Sequence, residues 1–288
     1  MTPATKKPLL LLGADGMLGR AFAEVLTTQG RAFEALTLPR FDLTRPDSIR
    51  DAISTRYSAV INCAAYTDVD GAESNQALAQ QINAAGVGQL AINCRLAFIP
   101  LIHFSTDYIF DGDGRTPYPP TPPPADSRPV NVYGQSKLQG EQLIREVSDE
   151  YLIIRTSWLY VPWAKNFVRT IAAAARSKPE LKVVNDQRGR PTSAQHLAAC
   201  TLALLNRKAR GIYHITDGGD CTWFDFAQEI VRLTAAPCKV VPCTTADFPR
   251  PAKRPAYSVL DIAKAESELG PFPPWQSNLA KVLTQLEP

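Results

Sequence analysis

Apolar residues in this chain come in short continuous runs, separated by stretches in which they recur at helical spacing. Pro8–Leu12, Ala32–Leu38, Ala59–Ala64, Ile99–Ser105 and Tyr151–Thr156 read as strands. Between them, Leu18–Gln29, Pro46–Thr55, Asn75–Cys94 and Asn131–Val147 read as helices. Strands alternating with helices predict βαβ units, an α/β class and a parallel sheet. A sheet covered on both faces has strands that are apolar throughout, as the four leucines at positions 9 to 12 are.

Beyond Trp158 the alternation loses its regularity. Phe167–Ser177, Ala194–Asn206, Thr222–Thr234 and Ala263–Leu269 are predicted helices, with Leu181–Val184 and Gly211–Ile215 as strands. Seven prolines between Thr116 and Pro129 exclude a helix or central strand there and predict a surface loop near the end of the fourth strand. Pro249–Pro255 and Pro271–Pro274 read as further loops. The expected organisation is a first domain over residues 1–157, with 190–215 returning to it. Residues 158–189 and 216–288 then form a smaller mixed α/β lobe over the carboxyl edge of the sheet.

Composition narrows the function classes. A formal charge of +3, from 31 Lys plus Arg against 28 Asp plus Glu, is too mild for a nucleic-acid-binding footprint. Leu9–Leu12 is too short for a signal-peptide core, and no run approaches the roughly 18 apolar residues of a membrane span. Six scattered cysteines without a CxxC pair read as reduced thiols, and the expected compartment is the cytoplasm.

Chemistry concentrates in three places. The first strand runs into Gly13-Ala-Asp15-Gly16-Met17-Leu18-Gly19 and then a helix. In that setting Gly13 permits the tight turn, Gly16 lets backbone approach a pyrophosphate, and Gly19 lets helix and strand pack closely. This is the opening of a Rossmann-like, doubly wound sheet. Tyr133 and Lys137, four apart on one helix face, form the second constellation. An ammonium beside the phenol is expected to lower its pKa, so that Tyr133 protonates a carbonyl oxygen receiving hydride. The third is His103-Phe-Ser105-Thr106-Asp107 at the carboxyl end of a strand, where its hydroxyls reach such a carbonyl. The second strand ends without a carboxylate before Asp42, while Thr37 and either Arg40 or Arg20 can meet a 2′-phosphate; both nicotinamide cofactors are expected to work, with NADPH preferred.

Taken together, the chain resembles an extended short-chain dehydrogenase/reductase, and specifically the dTDP-4-dehydrorhamnose reductase family. The resemblance runs through the Gly13 turn, Asp42-Leu43-Thr44, the segment Asn62 to Asp70, and Ser105 to Gly112. It continues through Asn131 to Lys137, Arg155 to Trp158, Lys165 to Phe167, Asn185 to Gln187, Pro191-Thr192 and Arg254 to Asp261. It implies that Thr106, Tyr133 and Lys137 form the catalytic triad, with Tyr133 as acid and Lys137 on the nicotinamide ribose. It implies that Asp42 and Leu43 flank the adenine, that Ala64, Ala65 and Tyr66 line the cofactor further along, and that Trp158 borders the hexose. Val69, Asp107, Asn166 and Arg254 are implied sugar-nucleotide contacts. The implied reaction is reduction of dTDP-4-dehydro-L-rhamnose to dTDP-L-rhamnose by a monomer or homodimer. Reduction or epimerisation of another nucleotide-linked hexose, or a non-catalytic regulatory subunit, are the competing readings.

The chain departs from the family pattern in two ways. Members with a magnesium-bridged dimer carry glutamates where this chain has Ala21 and Gln195, so no metal is expected. The span from Thr106 to Tyr133 is a few residues longer than usual, which the proline-rich loop can absorb. His103, His196 and His214 fit no ligand or triad spacing and read as packing or hydrogen-bonded histidines. Trp223 reads as a packing residue.

Overall fold

Leu9–Leu12 forms strand β1, and its alternating side chains enter two separate cores: Leu9 and Leu11 on one side, Leu10 and Leu12 on the other. In the computed structural model, which describes residues 7–123 and 127–286, the chain continues as α1 (Met17–Thr28), β2 (Phe33–Leu36), α2 (Pro46–Ala52) and β3 (Ala59–Asn62). Then come α3 (Val69–Ser74), α4 (Gln76–Gln80), a π-helical turn at Gln81–Gly86, α5 (Val87–Leu96), β4 (Leu101–Thr106), α6 (Val132–Val147) and β5 (Tyr151–Thr156). The remainder comprises β6 (Leu159–Tyr160), α7 (Phe167–Ser177), β7 (Glu180–Val184), β8 (Arg188–Gly189), β9 (Thr192–Ser193), α8 (Ala194–Asn206) and β10 (Gly211–His214). It closes with β11 (Cys221–Thr222), α9 (Trp223–Thr234), β12 (Lys239–Cys243), α10 (Ala263–Leu269) and α11 (Trp275–Leu283).

Six strands form one sheet in the order β10-β5-β4-β3-β1-β2, with every neighbouring pair parallel. The order reverses between β1 and β3, which opens a crevice at their carboxyl ends. Helices α1 and α8 cover one face, and α2, α5 and α6 the other. A third core lies outside the sheet, where Val168 and Ile171 of α7 meet Phe226 and Ile230 of α9 and Trp275 and Leu279 of α11. Helix α10 packs on α8 and β10. Buried Asp217 joins the parts, accepting from Tyr160 Oη at 2.8 Å, Ser193 N at 3.1 Å and Asn278 Nδ2 at 2.7 Å. No helix of the described residues is long and apolar enough to cross a membrane.

Three features differ from the pattern-based expectation. The single helix expected over Asn75–Cys94 is broken by the π-helical turn, which brings Gly86 so close to the preceding loop that a Cβ would lie 2.3 Å from the Leu43 carbonyl oxygen. Helix α11 follows the prolines at 271–274 with Pro274 at its N-cap; the short apolar spacing of Trp275, Leu279 and Val282 was masked by those prolines. Arg155 of β5, in a strand otherwise apolar, is fully buried with Glu141 of α6. The two form paired bonds of 2.9 and 2.7 Å. Arg155 also donates to the Thr121 carbonyl at 2.8 Å, which anchors the proline-rich segment to the sheet.

Candidate active site

The glycine turn illustrates how sequence shapes the site. Gly13 has φ +71, and a Cβ there would lie 2.7 Å from Ala64 N; a Cβ at Gly19 would lie 2.0 Å from the Gly13 carbonyl oxygen. These two glycines are required by the fold itself. At Gly16 a Cβ would make only an ordinary 3.5 Å contact, so its bare backbone serves the open side of the turn. That open side is the wall of a cavity of about 540 Å³, within the usual range for ligand sites.

The cavity follows the carboxyl ends of five sheet strands. Asp15, Gly16, Met17 and Leu18 line it after β1; Thr37, Leu38 and Phe41 after β2; and Cys63, Ala64 and Ala65 after β3. Its far end is formed by Ser105, Thr106 and Asp107 after β4, Tyr133 and Lys137 of α6, and Trp158 after β5.

Close backbone approach places Tyr133. Asn131 caps α6 by accepting from Gly134 N at 2.8 Å, and a Cβ on Gly134 would lie 2.1 Å from the Tyr108 carbonyl oxygen. The first turn of α6 therefore rests directly on the chain after β4, with the Tyr133 ring edge-on to Tyr108 at 6.0 Å. Asn83, from the π-helical turn, clamps the same region: it bonds Tyr66 N, the Tyr66 carbonyl and Ser136 Oγ at 2.9 to 3.0 Å.

The electrostatics differ from expectation at one point. Burial pushes the Tyr133 phenol up to about 12, the nearby Asp107 carboxylate adds to this, and the Thr106 hydroxyl opposes it. Lys137 Nζ lies 3.2 Å from His103 Nε2 and donates to the Phe104 carbonyl at 2.6 Å. Burial lowers Lys137 to about 8, against the opposing charge of Glu141. Asp107 is pushed up to about 6 by burial, with the Ser258 and Thr106 hydroxyls pulling the other way. Thr106 Oγ1 donates to Asp107 Oδ1 at 2.9 Å and accepts from Tyr108 N at 3.2 Å.

A protein-family profile described as the RmlD substrate binding domain matches residues 7–287. The chain is 40% identical over 280 residues to the dTDP-4-dehydrorhamnose reductase of Mycobacterium tuberculosis, covering 96% of this chain and 92% of that protein. The chain belongs to the dTDP-4-dehydrorhamnose reductase family. Another relative of the family is a probable dTDP-4,6-dihydroxy-2-methyloxan-3-one 4-ketoreductase of Streptomyces antibioticus, 40% identical over 96% of this chain and 95% of that protein. Among solved structures, a dTDP-4-dehydrorhamnose reductase of Bacillus anthracis in complex with NADP superposes with a TM-score of 0.91 at 33% identity, over 97% of this chain and 99% of that one.

Within this reductase fold, Gly13, Asp15, Gly16, Met17, Leu18, Ala64, Ala65, Val69, Thr106, Asp107, Tyr133, Lys137 and Trp158 all line the cavity. Other expected contacts stand back from it. Asp42 Oδ1 is occupied by Thr44 N and Oγ1 at 2.8 and 2.7 Å, and Leu43 is buried behind the loop. Tyr66 is held by its backbone to Asn83. The Asn166 side chain caps α7 and donates to the Val161 and Ala164 carbonyls. Arg254 pairs with Asp70 at 3.0 Å, and Arg40 lies 3.5 Å from Glu34 on the outer side of β2. Trp223 departs from its packing-only reading: it stacks on Trp158 at 3.6 Å and also lines the cavity. Trp158 itself holds φ +47, a left-handed conformation that costs a non-glycine residue about 1–3 kcal/mol. Gly189 makes room for its ring, since a Cβ there would lie 2.7 Å from Trp158 Cε2.

Proposed function

We propose that this chain reduces the 4-keto group of dTDP-4-dehydro-L-rhamnose to give dTDP-L-rhamnose, with NADPH as preferred cofactor and NADH also accepted. The observation that carries this reading is one cavity that begins at a pyrophosphate-type glycine turn and ends at Thr106, Tyr133 and Lys137. One buried polar atom on its wall, Ser105 Oγ, has no hydrogen-bond partner among the described residues, as suits a site built for a polar ligand. The bound cofactor supplies the hydride. Gly13, Gly16 and the N-terminus of α1 hold its pyrophosphate, and Ala64 and Ala65 border it further along.

Tyr133 is the proton donor. Its raised pKa keeps the proton on Oη until charge develops on the carbonyl oxygen, which then takes it. Thr106 is oriented by Asp107 and Tyr108 N, and a rotation of its hydroxyl redirects one hydrogen bond to the same oxygen. Lys137 faces the nicotinamide ribose. Trp158, braced by Trp223, borders the hexose; Val69 and Arg254, with Asp107 and Asn166, belong to the sugar-nucleotide side. Residues 1–157 and 190–215 form the dinucleotide domain in this reading, and α10 goes with them because it packs on α8 and β10. The remaining residues of 158–189 and 216–288 form the substrate lobe. The protein acts in the cytoplasm as a monomer or homodimer, without nucleic-acid or membrane partners. NADPH oxidation with and without the sugar nucleotide tests catalysis against a binding-only role.

Two further expectations belong to this reading. Only Thr37, Leu38 and Phe41 line the cavity after β2, while Glu34 is engaged by Arg56 and Tyr57 at 2.7 and 2.6 Å. No carboxylate from that strand lines the cavity against a 2′-phosphate, and the exposed Arg40 side chain, 3.5 Å from Glu34, exchanges that partner for the phosphate. Arg40→Ala should weaken NADPH binding roughly tenfold and NADH binding much less; equal losses in fluorescence titrations would refute the role. Activity should also survive a chelator and gain nothing from magnesium, since Ala21 and Gln195 offer no anionic ligand. A magnesium requirement would overturn that assignment.

A further inference from the structure

Helix α3 carries two carboxylates about one turn apart, and each is committed to a different part of the molecule. Glu73 Oε1 accepts from Val132 N at 2.9 Å, at the start of the helix that carries Tyr133. Asp70 faces the loop at Pro249–Pro255. Its Oδ1 accepts from Ala252 N at 3.2 Å and lies 3.0 Å from Arg254 Nη2, and its Oδ2 lies 3.6 Å from Arg250 Nη1. Asn131, the N-cap of α6, completes the ring by donating from Nδ2 to the Lys253 carbonyl at 2.9 Å. Three segments remote in sequence are thus pinned to one another in pairs. They meet beside the cavity, since Val69, next to Asp70, and Tyr108 both line it. The Arg254 charge is felt at the Tyr108 phenol, where it opposes the rise that burial and Asp107 cause.

Arg250, Lys253 and Arg254 crowd this loop, and Asp70 meets two of the three. Arg250 and Lys253 are exposed, whereas the Arg254 side chain is only 18% exposed. Two ties set its guanidinium: Nη2 is ion-paired with Asp70, and Nη1 donates to the Ala252 carbonyl at 2.8 Å. A guanidinium has five N–H groups, so these ties leave donors for a ligand, in the fork geometry that fits two phosphate oxygens at once.

We propose that Asp70 is a positioning residue, which holds Arg254 ready for the diphosphate of the sugar nucleotide. The proposal rests on the reading of this chain as a dTDP-sugar reductase with Arg254 on the sugar-nucleotide side. Without the carboxylate, the Arg254 side chain is tied only to its own loop and spreads over its rotamers. That freedom is lost again when a diphosphate binds, and affinity falls. A purely electrostatic effect has the opposite sign, since removing a negative charge near a diphosphate strengthens binding. Orientation outweighs it here, because Asp70 is already countered by two arginines at 3.0 and 3.6 Å, and its side chain is 26% exposed, so water screens the remainder.

Isothermal titration calorimetry of the full chain with dTDP reads this without turnover. Asp70→Asn keeps an oxygen for Ala252 N and removes only the charge. It should weaken dTDP binding roughly three- to tenfold. In steady-state kinetics the loss should appear in KM for the 4-keto sugar nucleotide rather than in kcat, with NADPH affinity little changed. Arg254→Ala should weaken dTDP more, and adding Asp70→Asn to it should cost nothing further, because Asp70 acts through Arg254. Equal or tighter dTDP binding by Asp70→Asn overturns the proposal. So does an undiminished loss from Asp70→Asn in the Arg254→Ala background, or an Arg254→Ala protein that binds dTDP normally. Wild-type protein that binds no dTDP would show separately that the dTDP-sugar reading itself fails, and the proposal with it.

Discussion

Tyr133→Phe should lower turnover by roughly two to four orders of magnitude, while NADPH affinity barely changes. The substitution removes one oxygen from a buried ring that is already edge-on to Tyr108, so packing is preserved. What disappears is the only proton that the site holds at Oη through the neutral pH range, with the phenol at about 12. Thr106 can still donate one hydrogen bond to the carbonyl oxygen, but its hydroxyl is a poor acid, which leaves a small residual rate. Steady-state kinetics beside a cofactor-binding titration separate the two effects. Near-normal turnover would remove Tyr133 from the chemistry, and a parallel loss of cofactor affinity would assign it to binding.

Glu141→Gln should destabilise the protein by about 3–5 kcal/mol, because it leaves the Arg155 guanidinium buried without its counter-charge. Both side chains are fully buried and joined by two bonds. His214, 3.3 Å from Arg155, offers no negative charge in its place: burial and Arg155 keep the ring neutral, and protonated it would be a second cation. The double variant Glu141→Leu with Arg155→Met should be much milder, as replacing both partners of a buried pair by apolar side chains is often nearly neutral. Urea unfolding midpoints of the three proteins decide it. A single variant no worse than the double would mean that the pair contributes little beyond its packing.

The sheet was legible because a doubly covered strand such as Leu9–Leu12 has no polar alternation to confuse it. The glycine turn and the Tyr133–Lys137 spacing were legible because short-range geometry alone dictates them. Charge direction was not. Four-residue spacing predicts that Lys137 tunes Tyr133, yet which way Nζ points depends on His103 and on the Phe104 carbonyl, thirty-odd positions upstream in β4. His103 looked like a hydrogen-bonded core histidine, and so it is, but its partners lie on β3 and α6. The second tryptophan of the Trp158–Trp223 stack was hidden for a similar reason: a helix-start aromatic reads as core, and only its stacking on Trp158, in the turn after β5, brings it to the cavity. The π-helical turn left no composition signal, since Gly86 meets Leu43 only in the folded chain.

The account stands most directly on the sugar nucleotide that drives NADPH oxidation. The purified chain should be offered the 4-keto-6-deoxyhexose linked to dTDP, UDP and GDP in turn, with the product analysed by mass spectrometry. We expect rapid NADPH oxidation with dTDP-4-dehydro-L-rhamnose, a product two hydrogens heavier that matches dTDP-L-rhamnose, and much slower turnover of the UDP and GDP compounds. Oxidation driven better by a UDP or GDP sugar, or none with any of the three, would contradict it.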